Sequence, residues 1–197
     1  MSDTEIETKT ETSKKPIYEY EGNTCIITTA YLNAIETENP FEDPTLMSLI
    51  GTKYTKVIYD LATFPIDNLP NGVTHMNISH PFFNHPVDNL PPSLIYLRIG
   101  GVKLLYEESY FNQPLNFLPS GLKILILEAL EDYTHTLDNL PPNLEYLYIL
   151  NRIYRKYYEL NNLPPSLKKV YNLNYYSPDD DEYTLAEVDN LWDLQVS

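Results

Sequence analysis

The sequence predicts a β-rich solenoid. Short parallel strands stack in a row, Pro-rich turns join them, no long helices back them, and a cap closes each end. Two observations carry this reading. The first is repetition: Pro86–Ile99 reads P-V-D-N-L-P-P-S-L-I-Y-L-R-I, and its text returns at Ile66–Ile78, Leu115–Leu127, Leu137–Ile149 and Leu160–Leu173. The Leu-Pro pairs stand at 69/70, 90/91, 118/119, 140/141 and 163/164, so the spacings are 21, 28, 22 and 23 residues. A recurring interval of that size is the mark of stacked supersecondary units. The second is the content of each unit. A Pro-rich approach that cannot be helix interior leads into apolar residues alternating with single intervening ones, the pattern of a strand with one buried face.

The alternating part is L-x-x-L-x-I: Leu94, Leu97 and Ile99; Leu122, Leu125 and Leu127; Leu144, Leu147 and Ile149. The residue before each Pro is held extended, so the strand is entered from a turn. One unit cannot bury its own apolar face; a neighbour on either side can. The spacing is that of leucine-rich repeats, whose strands line one face of a solenoid.

Phe111-Asn112-Gln113-Pro114-Leu115, followed by Leu118-Pro119-Ser120-Gly121-Leu122 and Leu125-Ile126-Leu127, resembles the FNIP repeat, a short leucine-rich-repeat variant. Phe83-Asn84-His85-Pro86 is a second copy of the motif head. The resemblance covers roughly residues 60–173. It implies a protein typical of amoebae and of the large DNA viruses that infect them. Tyr133-Thr134 replaces Phe-Asn in one unit, and Val170 and Asn172 replace strand apolars in the last, which predicts a frayed or capping end.

Taken in order, residues 1–15 hold Thr, Glu, Lys and Ser with one Ile. They are too polar to offset chain entropy and are expected to be a disordered tail. Ile17–Tyr20 and Thr24–Thr28 flank Glu21-Gly22-Asn23, a hairpin signal. A short helix is expected over Ala30–Thr37, stopped at Asn39-Pro40. Leu46, Leu49, Tyr54, Val57 and Tyr59 read as a degraded repeat, so 16–59 is assigned to an N-terminal cap. Residues 60–173 hold five repeats, with extra chain at Lys103–Ser109 leaving the stack as a loop. The stretch 174–197 is read as an acidic linker, with Asp179-Asp180-Asp181-Glu182, then an amphipathic helix through Leu185, Val188, Leu191, Trp192 and Leu194.

The chain has 197 residues and a formal charge of −15. That excess argues against nucleic acid or an anionic membrane as partner, since both need clustered Lys and Arg. No apolar run is long enough to span a bilayer, and the opening M-S-D-T-E-I-E-T lacks the plan of a secretory signal. A single Cys25 gives no internal disulfide. A reducing intracellular site is expected: the cytoplasm, and the host's if the chain is viral. Tyr occurs 18 times against 6 Phe and 1 Trp, which suits the half-buried surfaces of a thin solenoid.

Period-2 alternation sends the residues flanking the middle Leu out of the core. They form two columns: His75, Tyr96, Ile124, Tyr146 and Lys169; then Asn77, Arg98, Ile126, Tyr148 and Tyr171. Ile124, Ile126, Tyr146, Tyr148 and Tyr171 make an apolar, aromatic strip where a solvent-facing sheet carries polar residues. The strip is either covered by a terminal segment or a docking surface for a protein partner. As a docking surface, its anchors are Tyr146, Tyr148 and Tyr171, with Ile124 and Ile126 beside them, Tyr96 next in the column, and Arg98 and Lys169 at the rim.

No phosphate-binding Gly-rich loop, zinc-protease H-E-x-x-H, nucleophile elbow or C-x-x-C is found. His75, His80, His85 and His135 are read as scattered surface residues rather than a metal site, and Cys25 as a buried thiol. The pairs Asp67-Asn68, Asp88-Asn89 and Asp138-Asn139 are read as turn formers bonding nearby backbone. The expectation is a non-catalytic protein-binding module without cofactor or metal. Alternatives are a substrate receptor or adaptor in ubiquitin ligation, which needs helices in 16–59, a component of a viral particle or factory, and an enzyme with an unrecognised site.

Overall fold

In a computed structural model, the structure describes residues 17–28, 39–61, 64–100, 109–130, 133–150, 160–173 and Trp192. The tail at 1–15, the helix expected over 30–37, residues 103–108 of the insertion, the run at 179–182 and the C-terminal helix (Trp192 apart) fall outside them.

Eight strands form one open sheet in chain order: β1 Ile17–Glu21, β2 Thr24–Thr28, β3 Lys56–Tyr59, β4 His75–Ile78, β5 Tyr96–Ile99, β6 Ile124–Glu128, β7 Tyr146–Leu150 and β8 Lys169–Leu173. The first pair is antiparallel, the expected hairpin, turning at Gly22 with φ 58°. Every later pair is parallel. Between β2 and β3 lie a 3-10 turn at Pro40–Glu42 and helix α1 at Pro44–Leu49, capped by the Asp43 carboxylate on the N–H groups of Thr45 and Leu46.

The register never slips. Cys25, Val57, Met76, Leu97, Leu125, Leu147 and Val170 are successive partners in one row, and Ile27, Tyr59, Ile78, Ile99, Leu127 and Ile149 in another. Both rows are buried on the same face of the sheet until Val170, at the last strand, is exposed. The Leu before each Pro and the residue that opens each strand unit join this core: Leu69 and Val73, Leu90 and Leu94, Leu118 and Leu122, Leu140 and Leu144. In the last unit Leu163 is exposed as well.

The turns that space the strands repeat too. In each unit the N–H at the opening apolar position donates to the first Pro carbonyl: Val73 to Pro70, Leu94 to Pro91, Leu122 to Pro119, Leu144 to Pro141 and Leu167 to Pro164. A second Pro or another turn former fills the position after that carbonyl, where φ near −65° is needed. Ser93 Oγ then donates to the Val73 carbonyl at 2.7 Å, and Ser166 Oγ to the Leu144 carbonyl at 2.7 Å, tying each turn to the previous unit.

The motif heads stack beneath. The rings of Phe83, Phe111 and Tyr133 lie 6.3 Å apart in succession and nearly parallel. Tyr133 therefore keeps the aromatic rung where Phe is replaced. The Asp-Asn pairs act differently from expectation. Asn89 Nδ2 donates to Asp67 Oδ1 at 3.5 Å, and Asn139 Nδ2 to Asn116 Oδ1 at 3.0 Å. These are bonds between units rather than within a turn; a regular stack brings equivalent side chains side by side.

Candidate functional site

The other face of the sheet holds the two expected columns in unbroken register: Lys56, His75, Tyr96, Ile124, Tyr146 and Lys169; then Ile58, Asn77, Arg98, Ile126, Tyr148 and Tyr171. All seven candidate residues lie on this face. Their exposure departs from the reading of an open strip. Tyr96, Ile124, Ile126 and Tyr148 are at most 1% exposed and form an apolar cluster separate from the main core. Tyr146 and Tyr171 are half-buried against it, together with Leu150 and Trp192.

The physical reason is visible at Trp192. It lies 136 positions beyond Lys56 in the chain, yet its main-chain carbonyl accepts a hydrogen bond from Lys56 Nζ at 2.5 Å. The Lys56 ammonium also lies 5.3 Å from the indole centroid. The indole meets Tyr96 edge-on at 5.1 Å and 83°, and His75 at 5.4 Å and 77°. His75 and Tyr96 are themselves stacked at 5.5 Å. Trp192 thus lies on this face, and the aromatic column supplies its seat.

Arg98 is the second departure. It is not a free rim charge. Its Nε and Nη2 donate to Glu128 Oε2 and Oε1 at 3.0 and 2.9 Å, a two-pronged fork. Glu128 closes β6 and its side chain is 4% exposed, so the carboxylate needs this partner. Gly100, just past β5, makes the approach possible. Its φ is 93°, and a Cβ there would stand 2.1 Å from the Glu128 carbonyl oxygen. Only glycine fits both conditions.

Lys169, placed at the rim by sequence, lies 5.7 Å from the ring centroids of both Tyr148 and Tyr171. The C-terminal half of the face is therefore aromatic and cationic together. On the strand-entry side, Lys168 and Lys123 both pair with the Glu145 carboxylate, at 2.5 and 3.8 Å.

The histidines are not scattered on the surface. His75 and His80 are buried; His80 Nδ1 accepts the Phe82 N–H at 3.2 Å, closing a turn. Among the described residues no three His, Cys, Asp or Glu side chains converge as metal ligands. Cys25 is fully buried, and burial pushes its thiol up to about 11. Such a thiol is protonated and unreactive at neutral pH. Among the described residues no helix is long and apolar enough to cross a membrane.

Lys56 is the member that sequence reasoning missed, and Trp192 the one whose individual contacts it did not name. The signal for Lys56 was its place one residue before Val57 in a unit that had lost its Leu-Pro; register alone puts it in the His75 column. Trp192 lies in Leu185–Leu194, the segment that sequence offers as a cover for the strand face or for the open end of the stack, and the structure places this residue on the strand face. Comparison with protein-family models, characterised proteins and solved structures found no match.

Proposed function

We propose that the chain is a non-catalytic leucine-rich-repeat solenoid of the FNIP type that binds a protein partner along the strand face. The observation that carries the reading is the second apolar cluster. Tyr96, Ile124, Ile126 and Tyr148 form it on the face away from the main core, and a residue from far along the chain docks there. A surface that seats one peptide segment has the shape and chemistry to seat another: aromatic anchors, apolar filling and cations at the margin. Tyr146 and Tyr171 keep part of their surface open and give an incoming segment its first contact.

The FNIP reading is supported by the repeated rings of Phe83, Phe111 and Tyr133 and by the Asn84 and Asn112 side chains that cross-link successive units. The hairpin β1–β2 and the strand β3 are read as the N-terminal cap; among the described residues of 17–59 the helical elements are the 3-10 turn and the six-residue α1, which lend a three-helix adaptor domain of ubiquitin ligation no support. A cytoplasmic site fits the single buried thiol, and a host cytoplasm if the chain is viral.

Site-specific photo-crosslinking tests the reading. A benzophenone amino acid replaces Tyr146 in one protein and Phe117, exposed in a turn outside the strands, in another. In extracts of cells that make the protein, Tyr146 should give a discrete adduct that Tyr171→Ser diminishes. Adducts from Phe117 with none from Tyr146 would move the binding surface away from the strand face.

A further inference from the structure

The seat of Trp192 selects more than an apolar side chain. Its floor is the stacked pair His75 and Tyr96, both meeting the indole edge-on at separations of 5.4 and 5.1 Å. Two rings side by side give room for a fused two-ring system, and edge-to-face contact is favourable for aromatic groups alone. The Lys56 ammonium faces the same indole, an arrangement in which tryptophan gains most among side chains. Lys56 also donates to the main-chain carbonyl of the residue it faces, so one ammonium reads both side chain and backbone.

Charge adds a second selection. The chain carries −15 overall, yet Lys56 and Lys169 both lie on this one face, beside an Arg98 that Glu128 neutralises. Trp192 is followed in sequence by Asp193 and preceded by Asp189 and Glu187. An acidic stretch bearing a tryptophan complements a cationic margin around an aromatic seat, and such complementarity sets orientation and association rate.

We infer that Lys56, His75 and Tyr96 form a tryptophan-recognition pocket, that Trp192 fills it as a tethered ligand, and that the partner which takes the face in trans is an acidic segment carrying a tryptophan. The inference rests on the strand-face reading and adds the chemistry of the partner to it. Tethering gives Trp192 an effective concentration in the millimolar range. A free peptide that binds the empty pocket with micromolar affinity is therefore held off until the tether is weakened or the peptide is abundant.

The test titrates a fluorescein-labelled peptide of sequence Leu185–Ser197 with the full chain, and reads anisotropy. The Trp192→Ala protein should bind it saturably. Wild type should bind at least roughly tenfold more weakly, because its pocket is filled. A peptide with Ala in place of Trp should not bind. Lys56→Met in the Trp192→Ala protein keeps the aliphatic stem and should cost about tenfold, or roughly 1.4 kcal/mol. Equal binding of the Trp-free peptide, or no binding by a Trp192→Ala protein that melts as a folded chain, overturns the inference. Should Trp192→Ala not fold, wild type carrying 5-fluorotryptophan at position 192 gives the answer. Excess peptide should move its fluorine resonance to the solvent-exposed position, and an unmoved resonance overturns the inference. A Tyr146 crosslink that survives Lys56→Met would retire the tryptophan pocket while leaving the strand face as the binding surface.

Discussion

Asn84 Oδ1 accepts the backbone N–H of Asn112 at 2.9 Å, and Asn112 Oδ1 in turn accepts the N–H of Thr134 at 2.9 Å. The asparagine of each motif head thus satisfies the backbone of the next unit. Asn112→Ala removes that acceptor, which also takes the Thr134 hydroxyl at 3.1 Å. The expected cost is about 1–2 kcal/mol, since a hydrogen bond nets about 1 kcal/mol and this site is partly wet. Asn112→Asp keeps the acceptor and should recover most of it. Chemical denaturation of the two variants checks this.

Leu125 stands between Leu97 and Leu147 in one fully buried row. Leu125→Ala should cost about 2–5 kcal/mol, as truncation of a buried leucine does. In a stack the loss spreads to both neighbours. Hydrogen exchange should therefore speed up in β5 and β7 as well as in β6; acceleration confined to β6 would mean that the units do not support one another.

Arg98 and Glu128 make a nearly buried fork, and its two halves are not equivalent to its absence. Arg98→Met strands a carboxylate whose side chain is 4% exposed. That should cost about 3–5 kcal/mol, whereas Arg98→Met with Glu128→Met should lie much closer to wild type. A double-mutant cycle in urea separates the two cases. Equal, small losses in the single mutants would place the pair in water.

Alkaline pH acts on two weak acids of β1 and β2. Burial raises Cys25 from 9.0 to about 11, and burial followed by the nearby Asp43 raises Tyr18 from 10.0 to about 12. The folded chain holds these protons more tightly than the unfolded one, so their stabilisation is complete below pH 9.0 and is lost as pH rises toward about 11 for Cys25 and about 12 for Tyr18. The thermal midpoint should fall above pH 9.0, less steeply in Cys25→Ala. At neutral pH a thiol reagent should label Cys25 only after denaturant is added.

The register was fully legible in sequence. Once Leu97, Leu125 and Leu147 were aligned, alternation fixed the residues of both faces, and the structure places every one of them in its expected column. Covering of the second face was half legible. Lys123-Ile124-Leu125-Ile126-Leu127 is a continuous apolar run after its lysine, the composition of a parallel strand buried on both sides, rather than an alternating one. What lies over such a strand depends on a contact across 136 positions, which no local pattern encodes. Helix α1 went unread although Asp43-Pro44 is a cap followed by a favourable first residue. Leu46 fits a degraded strand and a short helix equally well until its neighbours are known.

The accessibility of Trp192, the chain's 1 tryptophan, tests most directly whether the strand face is a peptide seat. Acrylamide quenching of its fluorescence should be several-fold weaker in the folded wild type than in urea. Tyr96→Ala or Lys56→Met, each still folded by circular dichroism, should raise quenching toward the unfolded value. A wild-type Trp192 already quenched as readily as in urea would contradict the docking of this residue on Tyr96 and, with it, the seat.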